Sequence, residues 1–80
     1  MLIPLYGFLE GDTLGLLILV EEHETVHDLA TKLQQAASVR VAGKAQVEVR
    51  YKDRVLHPQH TIGQAELAPL ERFDVVQKDD

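Results

Sequence analysis

The chain has 80 residues, 45% of them hydrophobic and 26% charged, with a formal net charge of −5; this is the make-up of one small globular domain spanning residues 1–80, not of a disordered segment. The acidic balance argues against nonspecific binding to nucleic acid or to an anionic membrane surface. Without cysteine there is neither a disulfide nor a thiolate metal site, which fits a reducing cytoplasm. The first apolar run has no basic start and is cut by Glu10 and Asp12, so it is neither a signal peptide nor the roughly 20 apolar residues of a membrane span.

Leu2 to Leu9 and Leu14 to Val20 are two apolar runs separated by Glu10-Gly11-Asp12. The break is a turn signal, because Gly11 tolerates φ > 0 and Asp12 can bond its own backbone, so the pair reads as a β-hairpin. Neither run alternates apolar with polar as a half-buried strand does. If Leu14, Leu16, Ile18 and Val20 face a helix, Leu17 and Leu19 face away from it, beside either Tyr6 and Phe8 or Leu5 and Leu9. Large apolar side chains therefore point outward in either phase.

Thr25 opens a helix, with Asp28 at its third position in a capping-box arrangement. Val26, Leu29, Ala30, Leu33 and Ala37 form one apolar stripe, and the helix ends near Ala37 or Ser38. Gly43-Lys44 marks a loop. From Gln46 to Tyr51 the chain alternates, with Val47, Val49 and Tyr51 on one face and Glu48 and Arg50 on the other. Lys52-Asp53-Arg54 is a polar turn, and Val55-Leu56 a short return strand stopped by Pro58. Thr61 caps a single helical turn through Ala65, and Arg72 to Gln77 is a last strand with Phe73 and Val75 inward.

Two strands, a helix, two strands, a helical turn and a strand make an α+β fold: a mixed sheet of about five strands packed on one helix, in the order of the β-grasp. Glu24-Thr25-Val26, Tyr51-Lys52-Asp53-Arg54-Val55-Leu56, Thr61-Ile62-Gly63-Gln64 and Phe73-Asp74-Val75-Val76 resemble ubiquitin across most of the chain. The chain departs from ubiquitin at Gln77-Lys78-Asp79-Asp80, where conjugated ubiquitin-like proteins carry Gly-Gly, and at Arg50, where ubiquitin's recognition patch has an isoleucine. The resemblance therefore implies the fold without conjugation or thiocarboxylate chemistry.

A closer resemblance is to the toluene-4-monooxygenase system protein B family, the small gamma subunits of bacterial toluene-type diiron monooxygenases. It rests on Pro4, Glu10-Gly11-Asp12 with Leu14, Arg40-Val41-Ala42, Val47-Glu48-Val49-Arg50, Leu56-His57-Pro58, Thr61-Ile62, Leu67-Ala68-Pro69 and Asp74-Val75-Val76. The loop around Gly43 is shorter than the family's. Membership implies a noncatalytic subunit with no cofactor of its own, assembled with large and medium hydroxylase chains. The large chain is expected to hold the two irons and hydroxylate an aromatic ring.

The residues themselves offer little chemistry. Glu24 and His27 spell Glu-x-x-His, but a diiron site needs a second such pair and a four-helix bundle. His23, His27, His57 and His60 could hold zinc or copper only if two loops met. Ser38, the sole serine, has no histidine and acid arranged around it. Arg40, Lys44, Arg50, Lys52 and Arg54 concentrate five of the eight basic residues, either as a patch for an acidic partner or as a solvated strand face. The surplus apolar hairpin face is the clearer functional signal, since exposed clusters of this kind mark interfaces. The candidate partner interface is Tyr6, Phe8, Leu17 and Leu19, rimmed by Arg40 and Arg50. Alternatives are a free-standing bacterial ubiquitin-like adaptor, which predicts a mostly polar outer sheet face, and a small metal carrier.

Overall fold

The structure, a computed structural model, describes residues 1–43 and 46–78; Lys44 of the basic run and the Asp79-Asp80 end lie outside them. The described residues form β1 (Leu2–Leu9), β2 (Gly15–Glu21), α1 (Val26–Ala36), β3 (Val47–Tyr51), β4 (Arg54–Leu56), α2 (Ile62–Ala65) and β5 (Arg72–Gln77). The strands make one five-stranded sheet in the order β2-β1-β5-β3-β4. β1 runs parallel to β5 and the other neighbours are antiparallel, so the sheet is mixed. α1 packs across one face against β1, β2 and β3.

Local chemistry sets the boundaries. Gly11 turns at φ 92°, a region where an L side chain is strained. The Asp12 N–H donates to the Leu9 carbonyl at 2.9 Å, and the Asp12 carboxylate accepts the Leu14 N–H at 3.3 Å. At α1, Thr25 Oγ1 accepts the Asp28 N–H while Asp28 Oδ2 accepts the Thr25 N–H, both at 3.1 Å. Thr61 and Gln64 repeat that reciprocal cap on α2. The two helix starts are tied to each other by Val26 N–H to His60 O and Ile62 N–H to Glu24 O. Between β3 and β4, Lys52 and Asp53 both take left-handed φ, 49° and 62°, the conformation of a two-residue hairpin turn that matches strand twist.

The core lies between α1 and the sheet. The whole stripe Val26, Leu29, Ala30, Leu33 and Ala37 is buried, against Leu5, Leu9, Ile18, Val20, Val49, Tyr51, Phe73 and Val75. Full burial of a Leu, Val, Ile or Phe side chain contributes about 1.5–3 kcal/mol, so this one face supplies the domain's main driving force.

Two expectations shift, and one left open is resolved. Leu14, expected among the helix-facing residues of β2, is half exposed and precedes the strand, because the Asp12 side chain holds its N–H in the turn. β3 begins at Val47, not Gln46. The open hairpin phase resolves with Leu5 and Leu9 inward and Tyr6 outward beside Leu17 and Leu19. Val39 is 85% exposed and Val41 packs on the core edge, so neither covers the outer face.

Candidate functional site

The sheet face away from α1 is built by strand alternation. β1 sends Leu2, Pro4, Tyr6 and Phe8 outward, and β2 sends Leu17 and Leu19. Register then aligns Leu19 with Pro4, and Leu17 with Tyr6 and Arg72. Leu2, Tyr6, Leu17 and Leu19 are each between 44% and 53% exposed, which makes one apolar patch on two adjoining strands. That is not the mostly polar face expected of a free-standing adaptor.

Phe8 is held differently from its neighbours. Its ring lies over Gly15, the residue opposite it in register, where a Cβ would stand 2.5 Å from the Phe8 Cζ. The Arg72 guanidinium sits 4.0 Å from the ring centroid, within cation–π range, and its Nε donates to Asp74 Oδ1 at 2.8 Å. Phe8 is therefore a half-buried wedge between the apolar patch and a charged strip. That strip continues through Asp74, paired in register with Arg50, to Val55 on β4. Arg50 Nε donates to Glu48 Oε2 at 2.8 Å.

The basic run does not form one patch. Arg40 lies at the hairpin turn, where its Nε and Nη2 grip the nearly covered Asp12 carboxylate at 3.1 and 2.8 Å. That hydrogen bonding holds the Asp12 carboxyl below its usual range and raises Arg40. Arg50, Lys52 and Arg54 instead line an open depression of about 620 Å³ with Tyr51, Glu71 and Asp74. Within it the Tyr51 hydroxyl donates to the Glu71 carboxylate, which also pairs with Lys52 at 3.5 Å. Burial pushes the Tyr51 phenol up, and its hydroxyl holds the Glu71 carboxyl down.

The remaining chemistry-bearing residues form local pairs. Glu24 accepts the Glu21 N–H at 2.7 Å and pairs with Lys32 at 2.9 Å, and the Glu21 N–H holds its carboxyl below the usual range. His57 and His60 stack with ring centroids 4.9 Å apart. Among the described residues no three His, Cys, Asp or Glu gather as a metal site. No helix among them is long and apolar enough to cross a membrane. Three contacts had no signal in sequence: Arg40 with Asp12, Tyr51 with Glu71, and Lys32 Nζ donating to the Leu19 carbonyl at 3.0 Å.

Strand order, single crossing helix and the short second helix define a ubiquitin-like β-grasp. Solved structures agree: an archaeal ubiquitin from Caldiarchaeum subterraneum superposes with a TM-score of 0.81 at 17% identity, covering 100% of this chain and 98% of that one. The UBL domain of Plasmodium falciparum Dsk2 does so at 0.75 and 16%, covering 98% and 100%. The particular family follows from sequence. The family model of toluene-4-monooxygenase system protein B (TmoB) matches residues 2–77, and the chain belongs to that family, the small accessory subunits of a monooxygenase system. A chain of the toluene 4-monooxygenase HD complex, solved with the inhibitor 4-bromobenzoate, superposes with a TM-score of 0.89 at 26% identity, covering 98% of this chain and 100% of that one. No curated protein sequence matches significantly.

Proposed function

We propose that residues 1–80 act as one domain, the noncatalytic gamma subunit of a cytoplasmic, multicomponent diiron monooxygenase that hydroxylates aromatic rings of the toluene or benzene class. It assembles with large and medium hydroxylase chains, and the diiron centre belongs to the large chain. This subunit contributes no group to the chemistry. Its role is structural: the outer face of the β1–β2 hairpin docks on the large chain through Tyr6, Leu17 and Leu19, with Phe8 and Arg50 toward the rim. Arg40, held at the hairpin turn by Asp12, stands at the tip of the same hairpin.

The observation that carries this reading is a domain whose core is complete on one sheet face while leucines stay wet on the other. Each such leucine is about half exposed and so forgoes roughly half of the ~1.5–3 kcal/mol that full burial contributes, an arrangement typical of a surface covered by a partner. Family membership supplies the partner class. Co-expression with the large and medium chains tests it. The unaltered subunit is expected to co-purify stoichiometrically, and the Leu17→Lys, Leu19→Lys double variant to fold yet stay behind. Failure of the unaltered subunit to co-purify, or full retention of the variant, would refute it.

A further inference from the structure

β2 forms one edge of the sheet, and the hydrogen bonds of its neighbours show which of its peptide groups face outward. β1 is bonded on both sides. Its even residues turn toward β5: Tyr6 N–H donates to Glu71 O at 3.0 Å, and Pro4 O accepts the Leu70 N–H at 2.6 Å. The odd residues of β1 therefore bond β2, and register places Leu5 against Ile18 and Gly7 against Leu16. By the alternation of an antiparallel ladder, Leu16, Ile18 and Val20 spend their peptide groups on β1, and Gly15, Leu17, Leu19 and Glu21 turn theirs to the open edge.

Two side-chain bonds agree with that assignment. The Leu19 carbonyl accepts from Lys32 Nζ at 3.0 Å, and the Glu21 N–H donates to Glu24 Oε2 at 2.7 Å. The Glu21 end of the edge is thus closed by the Lys32–Glu24 pair, a lysine guard of the kind that blunts exposed strands. The other half is not guarded. The Leu17 N–H and carbonyl and the Leu19 N–H face outward from the last strand of the sheet, and the side chains above them are exposed leucines, not charges.

We infer that the Gly15–Leu19 edge of β2 receives an extended strand from another chain, apolar at alternate positions and carrying a basic residue at the end beside Glu22, since the Glu21 carboxylate is already paired with the Met1 amine at 2.9 Å. An extended segment is the ligand that offers alternating N–H and C=O groups at this spacing. The Lys32 guard limits the added ladder to a few residues. Its apolar side chains extend the outer patch past Leu17 and Leu19. A second copy of this chain is the poorer occupant: two-fold pairing through Leu17 is antiparallel and sets Glu22 against Asp12 of the other copy, between molecules of net charge −5. The inference rests on the subunit reading, since the strand is assigned to a chain of that monooxygenase.

Amide hydrogen exchange resolved to single residues, on the isolated chain and on the co-expressed complex, tests it. The Leu17 and Leu19 amides are expected to exchange readily in the free chain and to slow by about 100-fold in the complex. A complex in which both amides exchange as in the free chain overturns the strand addition and leaves the subunit reading standing. Absence of any complex overturns the subunit reading and this inference with it. Concentration-dependent protection in the isolated chain overturns the choice of occupant in favour of a second copy. A variant pair gives independent evidence: Leu17→Pro and Leu17→Ala both remove the leucine side chain, but only proline also removes the edge-facing N–H, a change tolerated on edge strands. Recovery of complex about tenfold lower for proline than for alanine supports strand addition; equal recovery of two folded variants overturns it.

Discussion

Gly7 stands at the middle of β1, between the inward residues Leu5 and Leu9, where a larger side chain would be expected. A Cβ there would lie 2.6 Å from the Phe73 ring and 3.0 Å from both Leu33 methyls. Phe73 and Leu33 are fully buried, so neither can swing into solvent. Gly7→Ala therefore forces the ring or the α1 leucine off its position, an overpacking cost of about 1–3 kcal/mol, offset by about 0.4–1 kcal/mol from the stiffer unfolded chain. The net expectation is a loss of about 1–2 kcal/mol, which for a domain of this size lowers Tm by about 5–15 °C. Far-UV circular dichroism on heating and in urea measures it. The decisive comparison is the double variant Gly7→Ala, Phe73→Leu, because replacing the ring with the smaller leucine side chain leaves room for the new methyl. The double variant is expected to be more stable than the sum of the single losses by about 1 kcal/mol. Strict additivity would refute the account, showing that a methyl at position 7 never meets the ring.

Three further outcomes follow from other parts of the fold. Thr25→Ala removes the hydroxyl that accepts the Asp28 N–H and should cost about 1 kcal/mol in urea unfolding, with Thr25→Ser recovering most of it. Asp12, Glu24, Asp28 and Glu71 are held below the ordinary carboxylate range, chiefly by Arg40, the Glu21 N–H, the Thr25 N–H and the Tyr51 hydroxyl respectively. Groups with lowered folded pKa contribute stability that is present above about pH 4 and is lost as pH falls through their lowered values. The urea midpoint should therefore drop on acidification below that pH, and Asp12→Asn should flatten the drop while lowering stability at neutral pH. Leu17→Lys with Leu19→Lys should leave the Tm of the isolated chain within a few degrees, since both side chains are about half exposed; a collapse in Tm would mean that this face is part of the core.

Much of this molecule was written locally. Thr25 with Asp28, and Thr61 with Gln64, mark both helix starts because a capping box lies within a few residues of itself. The stripe Val26 to Ala37 and the alternation of β3 disclose their buried faces through period alone, and Gly11 and Asp12 announce the hairpin turn. The ubiquitin-like order and the family resemblance came from the same short motifs. The two runs of the hairpin are a different case: apolar on both sides, Leu2–Leu9 and Leu14–Val20 carry no periodic contrast, so sequence left the phase of β1 open. Only packing against α1 and Phe73 turned Leu5 and Leu9 inward and left Tyr6, Leu17 and Leu19 outside.

Contacts between distant residues belong wholly to the tertiary structure. Asp12 and Arg40 are 28 positions apart, Tyr51 and Glu71 20 apart, and nothing near either partner names the other. They meet because strand order and helix crossing bring their backbones together. The basic run was dispersed for the same reason, Arg40 going to the hairpin turn and Arg50 to the far side of the sheet. The open edge of β2 is likewise a property of strand order: which peptide groups face outward depends on β1 being bonded to β5, a pairing between the two ends of the chain. Sequence alone determined what each segment would become and that apolar surface was in excess. The tertiary structure decided where that excess lies, because a side chain's exposure depends on the elements packed against it, most of them distant along the chain.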